Sequence, residues 1–167
     1  SRFTYELSWD VLRCLDTGPF IESIVGGLPL EVDDRANVGT ILAELVSNAI
    51  EHGILGLSPG VKTSIDGFAE FSERREAALR GLKRGRLVVE LEVVSEGEAQ
   101  ARVVIRVRDS GEGFELAEVK ARPRAVGSGR GLEVVRGLSE QVTIVGQGNV
   151  IEAEYCAARP RPAEAPR

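Results

Sequence analysis

The chain has 167 residues, 43% hydrophobic and 28% charged, the composition of a globular domain able to bury its own core without disulfides or structural metal. A net charge of −5 removes the basic footprint of a nucleic-acid-binding surface. Cys14 and Cys156, without CxxC spacing, and a single histidine are too few for a zinc site, and no apolar run reaches the ~20 residues of a bilayer span, so free or buried thiols in the cytoplasm, with neither membrane nor nucleic acid as partner, are expected.

A start at Ser1 in a sequence without Met predicts a segment cut from a longer polypeptide. Phe3 to Leu7 alternates apolar and polar residues, the period of a half-buried strand. Val11 to Val25 has helical spacing, interrupted near Gly18-Pro19 and ended by Gly26-Gly27. Asp33 and Asp34 then offer N-caps for a helix in which Val38, Ile41, Leu42, Leu45, Val46, Ala49 and Ile50 fill one arc. After a loop rich in Gly and Pro, Ile65, Phe68, Phe71, Arg75, Leu79 and Leu82 recur at helical spacing, and Ser64 to Leu82 predicts a second amphipathic helix. Its basic end, Arg74, Arg75, Arg80, Lys83, Arg84 and Arg86, reads as a solvated face or as a partner-docking surface.

Arg86 to Val94 and Ala101 to Arg108 are rich in Val, Leu and Ile and predict an antiparallel hairpin. A glycine-rich stretch leads to a short helix at Gly131 to Leu138, then strands at Gln141 to Val145 and Val150 to Tyr155 around "GQGN". The tail 157–167 is Pro-rich and predicted to be disordered. Strands grouped with short turns, beside separate helices, imply an α/β (α+β) two-layer sandwich: a mixed, mostly antiparallel sheet with helices on one face. One domain over 1–156, with a helical insert at about 56–84, is expected.

Three stretches carry chemistry. In "ELVSNAIEHG", Glu44 and Asn48 lie one turn apart beside the apolar arc, a pairing that a solvated helix face would also give. His52 falls nearer the apolar edge, where packing or capping at the helix end is expected. In "VRDSGEGF", a Val-rich strand delivers Asp109 into a turn with Gly111 and Gly113, where a carboxylate can accept a hydrogen bond from an exocyclic amine while the backbone approaches closely. An ordinary Asp-Ser-Gly turn has the same composition. In "GSGRGLEVVRGL", Gly127, Gly129 and Gly131 run into a helix N-terminus, where free amides and the dipole favour phosphate.

In this order, E-x-x-x-N, D-x-G-x-G and G-x-G-x-G-L resemble the N, G1 and G2 boxes of the GHKL, or Bergerat-fold, ATPase superfamily, over about Phe3 to Tyr155. The form of "ELVSNAIEHG", the short span between boxes and the absence of a phosphoacceptor helix resemble the serine-kinase anti-sigma factors. "EHGILGLSPGVKTSIDGFAEFSERREAALRGL" is similar to ATPase domains that end bacterial response-regulator/PP2C-phosphatase fusions. The resemblance implies a Bergerat fold, ATP and Mg²⁺ as cofactors, Glu44 as general base and Asn48 as metal ligand. It also implies that Asp109 takes the adenine amine, Gly111 and Gly113 shape the base pocket, and Gly127, Gly129, Arg130, Gly131 and Leu132 line the phosphates. Lys120, Arg122, Arg124 and Arg130 become candidates for the γ-phosphate or the incoming substrate.

Two departures accompany the likeness: "GNVIEAEY" lacks a strand Thr that the family often places near adenine, and the insert has no counterpart in the smallest anti-sigma kinases. The implied activity is phosphorylation of a STAS-domain anti-sigma-factor antagonist in a bacterial partner-switching pathway, with a sigma factor as a further partner, fused receiver or phosphatase domains in the full-length protein, and a homodimer left open. The alternative is a non-catalytic module that binds antagonist or sigma factor and uses nucleotide structurally or not at all. A histidine kinase catalytic domain ranks third.

Overall fold

The computed structural model describes residues 1–57, 65–97, 99–111 and 130–158. Five strands form one sheet: β1 (Arg2–Ser8), β2 (Arg86–Glu96), β3 (Gln100–Asp109), β4 (Gln141–Val145) and β5 (Val150–Ala158), in the order β1-β2-β3-β5-β4. Every pairing among the described residues is antiparallel, where a mixed sheet was expected. Alternation along the strands sets the register: Leu87, Val89 and Leu91 in β2, Val103, Ile105 and Val107 in β3, and Ile151, Ala153 and Tyr155 in β5 are all buried on one face. Strand β5 runs three residues beyond the expected Tyr155, and Ala157 is buried. Residues 159–167 of the Pro-rich tail lie outside the described residues.

Helices cover the buried face: α1 (Trp9–Leu12), α2 (Thr17–Gly26), α3 (Val32–Asn48), α4 (Ile65–Gly81) and α5 (Arg130–Leu138). The apolar arc that runs along α3 into the turn after it is the centre of the core, with Val38, Ile41, Leu42, Leu45, Val46 and Ile50 at most 2% exposed. The break after α1 falls at residues 13–16 and not at Gly18-Pro19, which occupy the first turn of α2 behind the Asp16 cap. That turn has no need of the missing proline N–H, so the expected breaker is tolerated there. Asp33 and Asp34 are likewise not N-caps; Glu31 holds that position, and the two aspartates lie in the first turn. Asp34 instead accepts from the Tyr155 hydroxyl (2.6 Å) and the Ala158 N–H (2.9 Å), tying the end of β5 to α3.

After Asn48 the helix widens. Ala49–Ile54 form a π-helical turn in which the Leu55 N–H reaches the Ile50 carbonyl five residues back (2.9 Å). No helix among the described residues is long and apolar enough to cross a membrane. Both cysteines are free and exposed.

Candidate functional site

Helix α3 carries Glu44 and Asn48 on the side that α5 covers, so neither simply faces solvent. The contact is backbone-close because residue 131 is glycine: a Cβ there would collide with Oε2 of Glu44 and sit 3.6 Å from Nδ2 of Asn48. The Glu44 carboxylate therefore stands against the first turn of α5, where helix amides have no partner within their own helix. Nδ2 of Asn48 is a buried atom with no hydrogen-bond partner among the described residues, an unusual condition for an amide in a folded interior. Leu132 is packed, half-buried, against the core.

Asp109 ends β3 with 8% of its surface exposed. Burial pushes its carboxyl above the ordinary 3.8, while the Gly111 N–H, donating to Oδ1 at 2.8 Å, acts in the opposite sense. The turn around it is held by three strands. The Asp109 N–H donates to the Asn149 carbonyl (3.0 Å), the Asn149 amide donates to the Asp109 carbonyl (3.4 Å), and Ser110 exchanges bonds with the Arg86 backbone. A carboxylate so fixed is an acceptor aimed by its surroundings.

Gly53, at the end of the opening motif, joins the two halves. A Cβ on Gly53 would overlap the Asp109 carboxylate, with its oxygens at 2.5 and 2.6 Å, and a Cβ on Gly111 would meet the Gly53 carbonyl. The π-helical turn thus leads directly from Asn48 to the wall behind Asp109. Sequence reading missed this role, because a glycine at a helix end is accounted for by capping and gives no sign of what it touches. His52 behaves as expected: Nδ1–H donates to the Leu57 carbonyl at 2.6 Å, locking the helix end.

Glu44, Asn48 and Gly131 are brought together, and Asp109 and Gly111 form a second cluster joined to the first through residues 49–53. Gly113, Gly127 and Gly129, with Lys120, Arg122 and Arg124, lie outside the described residues; Arg130 opens α5, and its side chain is also outside them. The family's strand Thr has a formal counterpart in the penultimate strand, Thr143. It pairs with Glu152 on the open face of the sheet, while Val142 and Ile144 point to the core, so it stands on the far side from Asp109.

The arrangement fits a purine nucleotide: a buried carboxylate for an exocyclic amine, glycine backbones that leave room beside it, and a helix N-terminus for phosphate. No curated protein gives a significant match to the chain. The family model for the histidine kinase-like ATPase domain matches residues 19–155, which run from within α2 through most of β5 and include every residue of both clusters. The chain belongs to that family, as an ATP-binding domain of kinase-like type.

Proposed function

We propose that the domain is an ATP- and Mg²⁺-dependent protein serine/threonine kinase of a bacterial partner-switching pathway, acting on a STAS-domain anti-sigma-factor antagonist. The observation that carries the reading is the Glu44 carboxylate held against Gly131 at the start of α5, with the Asn48 amide one turn along α3. A phosphoryl acceptor hydroxyl needs a base beside the phosphate-binding end of the site, and Glu44 is the carboxylate at that end. In the transfer, the hydroxyl oxygen bonds to the γ-phosphorus, the bond to the β-phosphate oxygen breaks, ADP leaves, and the hydroxyl proton passes to Glu44 Oε2.

Oxygen donors suit a hard divalent cation, and the amide oxygen of Asn48 and the Glu44 carboxylate are of that type. Mg²⁺, when bound, supplies neutralisation of the triphosphate charge. Asn48 is the residue that would hold it, through Oδ1, which leaves the buried Nδ2 to donate to a phosphate oxygen. Asp109 takes the adenine amine, and the first-turn amides of α5 take phosphate oxygens.

The chain incubated with a STAS-domain antagonist and labelled ATP is expected to transfer phosphate to a Ser or Thr hydroxyl. Glu44→Ala should still bind ATP while transfer falls by about 10²-fold or more, the usual size of a general-base contribution. Asn48→Ala should lose the Mg²⁺-dependent part of ATP affinity in calorimetry. Equal transfer by wild type and Glu44→Ala would reject Glu44 as base. ATP binding without transfer to any antagonist would favour the non-catalytic binding module.

A further inference from the structure

Among the described side chains, helix α4 meets the rest of the protein along a stripe of Phe71, Arg75 and Leu79, which Leu82 continues just past its end. Phe71 is buried, and Leu79 and Leu82 pack against the core cluster. Arg75 is the charged member of that stripe. Arg75 does not join the solvated basic end; its Nε lies 3.2 Å from Oε1 of Glu51, and Glu51 is only 7% exposed. An ion pair so far removed from water is costly to separate, so the Glu51 side chain is tied to α4.

Glu51 occupies the middle of the π-helical turn Ala49–Ile54. Its carbonyl accepts from the Leu57 N–H at 2.8 Å. Two residues on, Gly53 sets its carbonyl against Gly111 and its Cα against the Asp109 carboxylate, with no side chain between them to absorb a shift. Any movement of residue 51 along this short turn is therefore transmitted to the acceptor for the base.

We infer that Arg75 is a positioning residue for the nucleotide base: through Glu51 it fixes the π-helical turn against which Asp109 and Gly111 are set, and so raises affinity and preference for adenine over guanine nucleotides. Adenine presents an amine donor where guanine presents a carbonyl acceptor, so discrimination depends on where the Asp109 oxygens stand. The nucleotide half of this inference rests on the assignment of Asp109 to the base. The coupling half does not.

Amide hydrogen exchange on the nucleotide-free chain tests the coupling. Arg75→Met is expected to speed exchange at Leu55, Leu57 and Gly111 by about tenfold while Val103 and Ile105 in β3 keep their protection. Arg75→Lys, which keeps a cation opposite Glu51, should hold all three within about threefold of wild type. In calorimetry, Arg75→Met should weaken ATP by about tenfold and GTP by less, narrowing the preference, and Arg75→Lys should retain it. Unchanged exchange at the three amides, equal loss of protection in β3, failure of Arg75→Met to fold, or an Arg75→Lys variant as defective as Arg75→Met would each overturn the inference. A wild type that binds neither nucleotide would overturn the base assignment and the nucleotide half with it, while the exchange data still decide the coupling.

Discussion

Asp109, proposed above to take the adenine amine, is a buried carboxyl that burdens folding. Its pKa is raised by burial, so the ionised form is the one that the folded state disfavours. The sign follows: the cost is complete above the folded-state pKa, shrinks as pH falls through it, and is gone below the unfolded value near 3.8. Asp109→Asn has no ionisation to suppress, and the amide oxygen can still accept the Gly111 N–H. The variant is expected to be at least as stable as wild type near neutral pH, with its advantage vanishing as pH approaches about 4, read from urea midpoints across that range. Its ATP affinity should fall by about tenfold or more, the worth of a hydrogen bond to a charged acceptor. An advantage that grew on acidification would contradict the burial argument.

At the scale of elements, the site is the meeting of α3 with the first turn of α5, and Gly131 decides how near the two come. Alanine inside a helix is worth up to about 1 kcal/mol over glycine, and the atom that its methyl would strike is the tip of a flexible side chain. Gly131→Ala should therefore keep stability within about 1 kcal/mol of wild type while driving the Glu44 carboxylate from its place. Phosphotransfer is expected to drop by about 10²-fold, the cost of misplacing a reacting group by about 1 Å, and unchanged transfer would separate Gly131 from the chemistry. The fourfold step from Glu44 to Asn48 and the strand-end position of Asp109 were legible in the sequence, since helical and strand periods place side chains directly. The π-helical turn was not: one widened turn at residues 49–54 leaves no mark in composition or in hydrophobic period. Arg75 fell on the apolar stripe by its spacing and in the basic end by its charge, and only packing shows that it meets Glu51.

The whole molecule is a one-sided sandwich, and β3 displays both sides in successive residues. Toward the helices it turns Val103 and Ile105, both 0% exposed; toward solvent it turns Arg102 and Arg106. On that open face the arginines stand between carboxylates of the flanking strands. Arg102 reaches Glu96 at 2.8 Å and Glu154 at 3.3 Å, and Arg106 reaches Glu90 at 3.7 Å and also bonds Glu152. This alternation was readable from the strand sequences, and among the described residues the helices lie only on the apolar face, the other carrying these charge pairs. Such solvated pairs contribute little singly, about 0–1 kcal/mol, and what they give is sensitive to salt. Replacing both arginines by Gln changes the net charge from −5 to −7 and leaves four carboxylates facing one another. The double variant should lose about 1–2 kcal/mol in urea unfolding at low salt and regain most of it near 1 M salt, where screening acts over about 3 Å. Ile105→Ala, between the same two arginines on the opposite face, should lose about 2–5 kcal/mol with no such recovery, because a cavity in the core is not screened by ions. Equal salt dependence in the two variants would mean that the open face is held by something other than charge.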